Sequence, residues 1–309
     1  MKLAVLFWFY KEPEICQNRL QLLRQNNPTI SIYGLYGGDP EAVDQYKSLL
    51  SLYLDDFYTF PESKDSNWKW LQGDLMITHW YRERGKDLSW DTVVVVQWDM
   101  LVFGNIEQLF SMLKQDQILL SGLRPIKEVE NEWLWVTPKV PDHREQYLNF
   151  LEYVKKTYDY QYEPMGCIFI VVCLPRIFLE AYFKVEQPEL GFIEYRIPMY
   201  AQIFNIPFCT NHPFQAWWVD DDPVFQANNA LQRAINLVKI RLNPNPLNPT
   251  RNDISLVPIF GHLNTKTGAR IFHPYQYLFP LKKQQWIAAL FGELKRDLDW
   301  LSRKILGQN

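Results

Sequence analysis

Runs of apolar residues alternate with segments of helical spacing along the first hundred positions. Residues 2–9 are mostly apolar and predict a buried first strand. Residues 14–25 carry apolar side chains at approximately helical spacing, and Asn26-Asn27-Pro28 ends that helix. Residues 29–33 then predict a second strand and residues 41–52 a second helix. This alternation predicts a parallel sheet with helices on its faces.

A central strand is predicted at Val93-Val94-Val95-Val96, after a helix over residues 68–84. Four consecutive β-branched residues fit a strand that is covered on both faces. The strand continues directly into Gln97-Trp98-Asp99. Because open α/β folds gather their ligands at the carboxyl edge of the sheet, Asp99 is predicted to be the centre of an active site.

The rest of the chain alternates less regularly. Further helices are predicted over residues 106–114, 145–158, 177–184, 191–204, 225–240 and 282–306. Further extended segments are predicted over residues 56–60, 117–122, 164–172, 206–208 and 257–262. The Asn-Pro repeats in residues 243–249 exclude regular structure, so this segment is predicted to be a loop and is a candidate lid.

Composition and charge narrow the class of protein. A chain of 309 residues with 47% apolar residues can bury a substantial core, so a soluble globular protein is expected. The net charge of −3, with acids and bases mixed throughout, disfavours nucleic-acid binding. The four cysteines show no C-x-x-C spacing and are expected to be reduced. With no signal peptide and no apolar run of the roughly 20 residues that cross a bilayer, we expect a cytoplasmic protein.

The Gln97-Trp98-Asp99 segment resembles the Asp-x-Asp motif of glycosyltransferases with the GT-A fold, in the nucleotide-diphospho-sugar transferase superfamily. The resemblance implies a nucleotide-diphosphate sugar as donor and a divalent metal, Mn²⁺ or Mg²⁺, that Asp99 binds. The motif is degenerate, because Gln97 stands in place of its first acid. The resemblance implies that Gln97 can still donate a hydrogen bond to the ribose but supplies no charge, and that Trp98 lies between these two donor-binding residues.

Four other segments resemble the same family in order and spacing. Asp74 lies in a segment that is similar to the donor-binding helix before the acidic motif, although Ile77 replaces the family's arginine. Gly166 lies in a predicted strand similar to the one that lines the sugar and acceptor. Glu194, heading a helix, resembles the catalytic acid of inverting members and is a candidate base for the acceptor hydroxyl. His262 resembles a C-terminal histidine that completes the metal site.

The expected fold class is α/β, with a Rossmann-like, mostly parallel central sheet and helices on both faces. A single GT-A-like domain is predicted over residues 1–275, with a nucleotide-binding half over 1–103 and an acceptor-binding half over 104–275. Residues 276–309 are predicted to form a C-terminal amphipathic helical extension. Phe9 and Tyr10 follow the first strand, where a nucleotide base is expected to stack.

These residues also have ordinary structural interpretations. Asp99 can cap a helix after its strand, and Glu194 can stabilise a helix N-terminus. Asp74 can be a surface or ion-paired acid, and His262 and the less favoured His273 can be hydrogen-bonded structural groups.

The function expected from the resemblance is a glycosyltransferase of the hexosyltransferase type, acting on a hydroxyl group of a glycan, lipid or small molecule. One alternative is a sugar nucleotidyltransferase, which has a glycine-rich basic loop where this chain has Tyr10-Lys11-Glu12-Pro13. Another is a non-catalytic nucleotide-sugar or carbohydrate binder, in which Gln97 marks lost metal chemistry. The last helix is expected to dock on the core or on a second copy in a homo-oligomer, with peripheral membrane contact as the other hypothesis.

Overall fold

The computed structural model describes residues 1–62, 64–214, 254 and 256–305. Its centre is a six-stranded sheet, with a two-stranded sheet beside it. The strands are β1 Leu3–Phe9, β2 Ser31–Tyr36, β3 Asp56–Thr59, β4 Thr92–Gln97, β5 Leu101–Val102, β6 Leu119–Pro125, β7 Met165–Pro175 and β8 Ile271–Phe272. The small sheet pairs β5 with β8 in antiparallel orientation.

The large sheet has the strand order β3-β2-β1-β4-β7-β6. Four adjacent strands, β3, β2, β1 and β4, run parallel to one another. Strand β7 runs antiparallel to both of its neighbours, β4 and β6. The predicted α/β class with a mostly parallel sheet is therefore confirmed.

Helices cover both faces of this sheet. They are α1 Pro13–Asn26, α2 Val43–Leu50, α3 Ser66–Leu71, α4 Gly73–Glu83, α5 Ile106–Leu109, α6 Pro141–Tyr158, α7 Arg176–Tyr182, α8 Ile193–Ile203, α9 Leu256–Leu263 and α10 Trp286–Ile305. Alternate residues of the central strands belong to two apolar clusters. Leu6 and Val95 share one cluster with residues of α4 and α8, whereas Phe7 and Val94 share the other with residues of α1. The valine strand is thus covered on both faces, as its composition predicts.

Strands β4 and β7 separate toward the carboxyl end of β4. Their last paired residues are Val95 and Val172, although β4 continues to Gln97. The pairing of β7 with β6 also shifts register between Leu120 and Ser121, an irregularity that re-aims side chains near the sheet edge. The first half of β7 therefore lies beyond the paired part of β4, at the edge where Asp99 follows.

Residues 257–262 were predicted to be extended, and this prediction is wrong, because they belong to helix α9. Ile259 and Phe260 are buried there, and the ring of Trp286 stacks on that of Phe260 with centres 4.1 Å apart. A short apolar run fits a buried strand or a buried helix equally well. Packing against α10 decides between the two.

The predicted helix over residues 68–84 consists of two helices, α3 and α4, that meet at Gln72. A side chain at Gly73 would lie 2.1 Å from the indole ring of Trp8, so glycine permits this close approach. The predicted helix over residues 106–114 ends early, at Leu109, and the one over 145–158 begins early, at Pro141. The predicted helix over 225–240 and the loop over 243–249 lie outside the described residues.

The last helix docks on the chain's own core through one face. Trp286 stacks on α9, and the Glu293 carboxylate accepts the backbone N–H of Leu256 at 3.0 Å. Ile287 and Phe291 on the outer face are 69% and 68% exposed. Contact of this outer face with a second copy or a membrane stays a prediction.

The four cysteines lie inside the protein. Cys16, Cys167, Cys173 and Cys209 are all free and buried. Within the described part of the chain, no helix combines the length and the apolar character that crossing a bilayer requires.

Candidate active site

The turn after β4 brings Asp99 to the carboxyl edge of the parallel strands. Trp98 donates its backbone N–H to the carbonyl of Trp8 in β1 at 3.0 Å, which ties the turn to the neighbouring strand. Asp99 follows and is 8% exposed. Its backbone carbonyl accepts the N–H of Tyr275 at 2.8 Å. The segment after β8 is thereby held beside Asp99.

Arg19 of α1 also holds the segment that follows β8. Its guanidinium donates to the carbonyl oxygens of Tyr275 at 2.6 Å and Tyr277 at 2.7 Å. Burial lowers the pKa of Arg19 to about 10, with nearby Tyr275 and Asp99 opposing the shift. Arg19 is therefore still a cation at neutral pH and acts on the electrostatics of Asp99.

His273 follows β8 directly and faces Asp99. Its Nε2 atom lies 3.3 Å from Asp99 Oδ1. Burial alone would raise the pKa of Asp99, but the His273 imidazole, backbone hydrogen bonding and then Arg19 together hold this pKa below its usual value. Asp99 is therefore ionised at neutral pH.

Two atoms of this pair are buried without a hydrogen-bond partner among the residues that the structure describes. They are Asp99 Oδ1 and His273 Nδ1. The imidazole of His273 is 3.3 Å from this carboxylate oxygen, so the pair is incompletely satisfied where it borders the pocket and has capacity for a ligand.

The backbone of Phe169 in β7 is held by two pocket residues. Gln97 donates from Nε2 to the Phe169 carbonyl at 3.0 Å, and the Phe169 N–H donates to Glu194 Oε1 at 2.9 Å. Glu194 lies in the first turn of α8, as predicted. Burial raises the pKa of Glu194 to about 8, against the opposing hydrogen bond from Phe169. A carboxyl group with this pKa can exchange protons near neutral pH.

These residues line a pocket of about 300 Å³. Its polar lining includes Gln97, Asp99, Glu194, His273 and Gln276. Most of its remaining walls are aromatic, and they include Trp8, Tyr10, Trp70, Phe169 and Phe192. Aromatic walls with a few convergent polar groups are typical of a small-molecule site.

Four of the predicted site residues meet in this pocket, namely Tyr10, Gln97, Asp99 and Glu194. The remaining five do not line it. Phe9 and Trp98 belong to the apolar cluster on the α1 face of the sheet. Gly166 is buried in β7, where it pairs with Arg124 of β6.

Asp74 takes part in a buried ion pair rather than in the pocket lining. Arg196 of α8 donates to its two carboxylate oxygens at 2.5 Å and 3.0 Å, and the Tyr182 hydroxyl also donates to it. Both charged side chains are fully buried. The ordinary interpretation of Asp74 as an ion-paired acid agrees with this geometry.

The histidine beside Asp99 is His273, whereas His262 was the favoured metal ligand. His262 Nδ1 accepts the backbone N–H of Ala269 at 2.9 Å, and its ring packs edge-on against Phe272. The short apolar pair Ile271-Phe272 forms β8 and delivers His273 to the site. A two-residue strand is too short to be recognised in the sequence.

Sequence reasoning also overlooked several aromatic wall residues. Trp8, Trp70 and Phe169 line the pocket, but nothing in their local pattern separates a pocket wall from a core position. Trp70 becomes a candidate for ligand contact only in the structure, where its large apolar ring is 55% exposed.

The pocket offers two ligands for a divalent cation. Among the described residues, no cluster of three or more His, Cys, Asp or Glu side chains forms a metal site. Asp99 and His273 contribute one carboxylate and one imidazole, each with an unsatisfied buried atom. A carboxylate beside an imidazole could hold Mn²⁺, with substrate phosphates and water supplying the remaining ligands, whereas Mg²⁺ prefers oxygen ligands alone.

Comparison with known proteins finds similarity at the level of structure alone. No protein-family model matches the sequence, and neither does any curated protein. A similar solved structure is apo WbbM, a bifunctional glycosyltransferase, with 11% identity and a TM-score of 0.41 over 76% of this chain. The chain spans 44% of the length of WbbM.

Two further similar structures are also glycosyltransferases. Mouse xyloside xylosyltransferase 1 in its apo form has 14% identity and a TM-score of 0.41, with 73% of this chain and 93% of that chain covered. The galactosyltransferase LgtC, in complex with donor and acceptor sugar analogues, has 13% identity and a TM-score of 0.39, with coverages of 76% and 83%. These identities and scores are low, so the function of this chain is inferred from its own pocket.

Proposed function

We propose that this protein is a glycosyltransferase that moves a sugar from a nucleotide-diphosphate sugar to a hydroxyl acceptor. One observation carries the proposal: Asp99, His273 and Glu194 meet in one aromatic-walled pocket at the carboxyl edge of parallel strands. An ionised carboxylate, an imidazole and a carboxyl group of raised pKa are the groups that such a transfer needs.

Asp99 and His273 are the residues that would hold the divalent cation. A cation bound there would supply stabilisation of the negative charge that develops on the departing diphosphate. Arg19 and Asp99's own backbone carbonyl hold the segment that carries His273, so the two ligands are positioned before any substrate arrives.

Glu194 is proposed as the base for the acceptor. The acceptor oxygen forms a bond to the anomeric carbon, and the bond from that carbon to the diphosphate oxygen breaks with its electron pair on the diphosphate. The acceptor proton passes to the ionised Glu194 carboxylate. The products are the glycoside and the nucleoside diphosphate. Glu194 is held for this step by the Phe169 N–H.

The aromatic walls suggest how the substrates are arranged. Tyr10 follows β1 and is next to Trp8 with ring centres 6.2 Å apart, which offers a stacking surface for the donor base. Phe192 and the exposed Trp70 line the same pocket as Glu194, with their ring centres 6.1 Å apart. These two rings are suited to a sugar or another acceptor with an apolar face.

A second candidate is a non-catalytic binder of nucleotide sugars. The amide of Gln97 is engaged by the Phe169 carbonyl, and only two metal ligands meet among the described residues. These features favour a pocket that has kept ligand binding and lost turnover.

One experiment separates the candidates. The protein is incubated with UDP-, GDP- and CDP-sugars, with and without Mn²⁺, and free nucleotide is measured for the wild type and for Asp99→Ala. Release that depends on Asp99 supports transfer. Tight binding with no release supports the binder, and pyrophosphate-dependent formation of a nucleoside triphosphate supports the nucleotidyltransferase.

A further inference from the structure

Two lysine ammonium groups lie against the ring of Tyr10. Lys11 Nζ and Lys69 Nζ are each 5.7 Å from its centre, and Lys11 Nζ is also 4.7 Å from the ring centre of Trp98. Burial raises the pKa of Tyr10. A hydrogen-bonding contact with Trp98 lowers this pKa, and the negative charge of Asp99 raises it further. Tyr10 lines the candidate active site, so the two ammonium groups lie at its border, although neither lysine belongs to the pocket lining itself.

Neither lysine has an acidic partner within the part of the chain that the structure describes. Lys69 is only 7% exposed, and its ammonium makes a cation–π contact with Tyr10 but no ion pair. Burial lowers the pKa of Lys69, and the charges of Asp65 and Asp39 oppose this from a distance without either carboxylate forming an ion pair with the ammonium. Burying a charge without a partner costs free energy, so such a cation indicates an anionic ligand.

A third donor lies beside the same ring. The indole N–H of Trp8 is buried and has no acceptor among the described residues. Trp8 and Tyr10 both line the pocket. Lys11 is exposed, so the buried Lys69 ammonium and the buried Trp8 indole N–H are the two donors that favour a ligand with negatively charged oxygens, and Lys11 adds positive charge beside them.

We propose that Lys11 and Lys69 bind the diphosphate of the donor nucleotide beside Tyr10. This inference rests on the proposed function and names residues that the degenerate motif does not contain. Gln97 lacks the charge of the acid it replaces, so a cation at Asp99 has a weaker protein site than in an intact motif. The two ammonium groups supply positive charge to the diphosphate directly and do not depend on the metal.

Calorimetric titration in the presence of EDTA tests the proposal. Inorganic pyrophosphate and UDP are titrated into the wild type, Lys11→Met and Lys69→Met. Lys184→Met is the matched control, because Lys184 Nζ also lies over an aromatic ring, 5.5 Å from the centre of Phe183. It follows α7, which begins at the opposite end of β4. Circular dichroism and thermal unfolding verify that each variant is folded.

The expected result is metal-independent binding of both probes, weakened about tenfold in each active-site variant and unchanged in the control. Lys69→Arg, which keeps the charge, should retain more binding than Lys69→Met. Wild-type binding that needs a metal, or equal affinity in the wild type and both methionine variants, would overturn the inference.

The two proposals fail in different ways. Loss of nucleotide release in Asp99→Ala with unchanged pyrophosphate binding in both lysine variants removes the lysine site and leaves the transferase. Lysine-dependent pyrophosphate binding without any nucleotide release leaves the lysine site and removes the transferase.

Discussion

Two buried aspartates show how differently the same side chain is used in this protein. Asp74, in the first turn of α4, is 1% exposed and accepts hydrogen bonds from Nε and Nη2 of Arg196 and from the Tyr182 hydroxyl. Asp99, at the sheet edge, is 8% exposed and has a single neighbouring imidazole at 3.3 Å, with one oxygen unsatisfied. Burial alone therefore does not separate a structural acid from a candidate for chemistry.

The difference lies in what completes each carboxylate. Asp74 has its partners within the fold, and Arg196 neutralises its charge. Burial would lower the pKa of Arg196, but the charge of Asp74 raises this pKa above its usual value. Asp99 borders a pocket and keeps coordinating capacity for a ligand. A buried acid that the fold leaves incompletely satisfied is the better candidate for chemistry.

The largest expected effect is on activity at the sheet edge. Asp99→Asn keeps the size of the side chain but removes the charge that holds a cation. Nucleotide release should fall on the order of 10³-fold, because charge stabilisation of the leaving group is worth several kcal/mol. Thermal unfolding should stay close to that of the wild type. A variant that unfolds readily and keeps its activity would reverse the roles assigned to the two aspartates.

For the ion pair of Asp74 in α4 and Arg196 in α8, we expect a loss of stability and not a direct loss of activity. Arg196→Met removes one partner and leaves Asp74 buried and charged, so the free energy of unfolding should fall by about 3–5 kcal/mol. Urea denaturation at pH 7 measures the change. The double change Asp74→Leu with Arg196→Met should recover part of the loss, because no unpaired charge is left. Equal instability in the single and double variants would contradict this account.

The smallest expected effect is on the pH dependence of kcat/KM. Glu194 has a folded pKa of about 8, above that of an exposed carboxyl, so as a base it becomes active as the pH rises through about 8. In the wild type kcat/KM should rise over this range, and in Glu194→Gln it should be about 10²-fold lower and flat with pH. Activity that falls with rising pH would assign Glu194 the role of an acid instead.

Stability gives an independent check on the same group. Because the folded pKa is raised, the folded state binds more protons than the unfolded state between the two pKa values. Glu194 therefore contributes most to stability below the unfolded pKa, near 4, and this contribution is lost as the pH rises toward 8. In Glu194→Gln this part of the pH dependence should disappear from urea denaturation curves.

Much of the fold could be predicted from local pattern. The four valines indicated a strand covered on both faces, and strand β4 has neighbours on both sides and apolar clusters on both faces. Asp99 was placed at the carboxyl edge by the same reasoning, and Glu194 at the first turn of a helix. Both line the pocket. These predictions succeeded because periodicity and composition report directly on backbone conformation and burial.

Other features depended on contacts between segments that are distant in the chain. His273 reaches Asp99 through a strand of two residues, and the last helix decides that residues 257–262 are helical. The sequence by itself determined the strand–helix order, the buried central strand and the acid at its end. Only the tertiary structure decided which histidine faces that acid and which aspartate is neutralised by an arginine 122 positions away. Such pairings depend on how segments far apart in the chain pack together, and the local pattern of a single segment does not encode that.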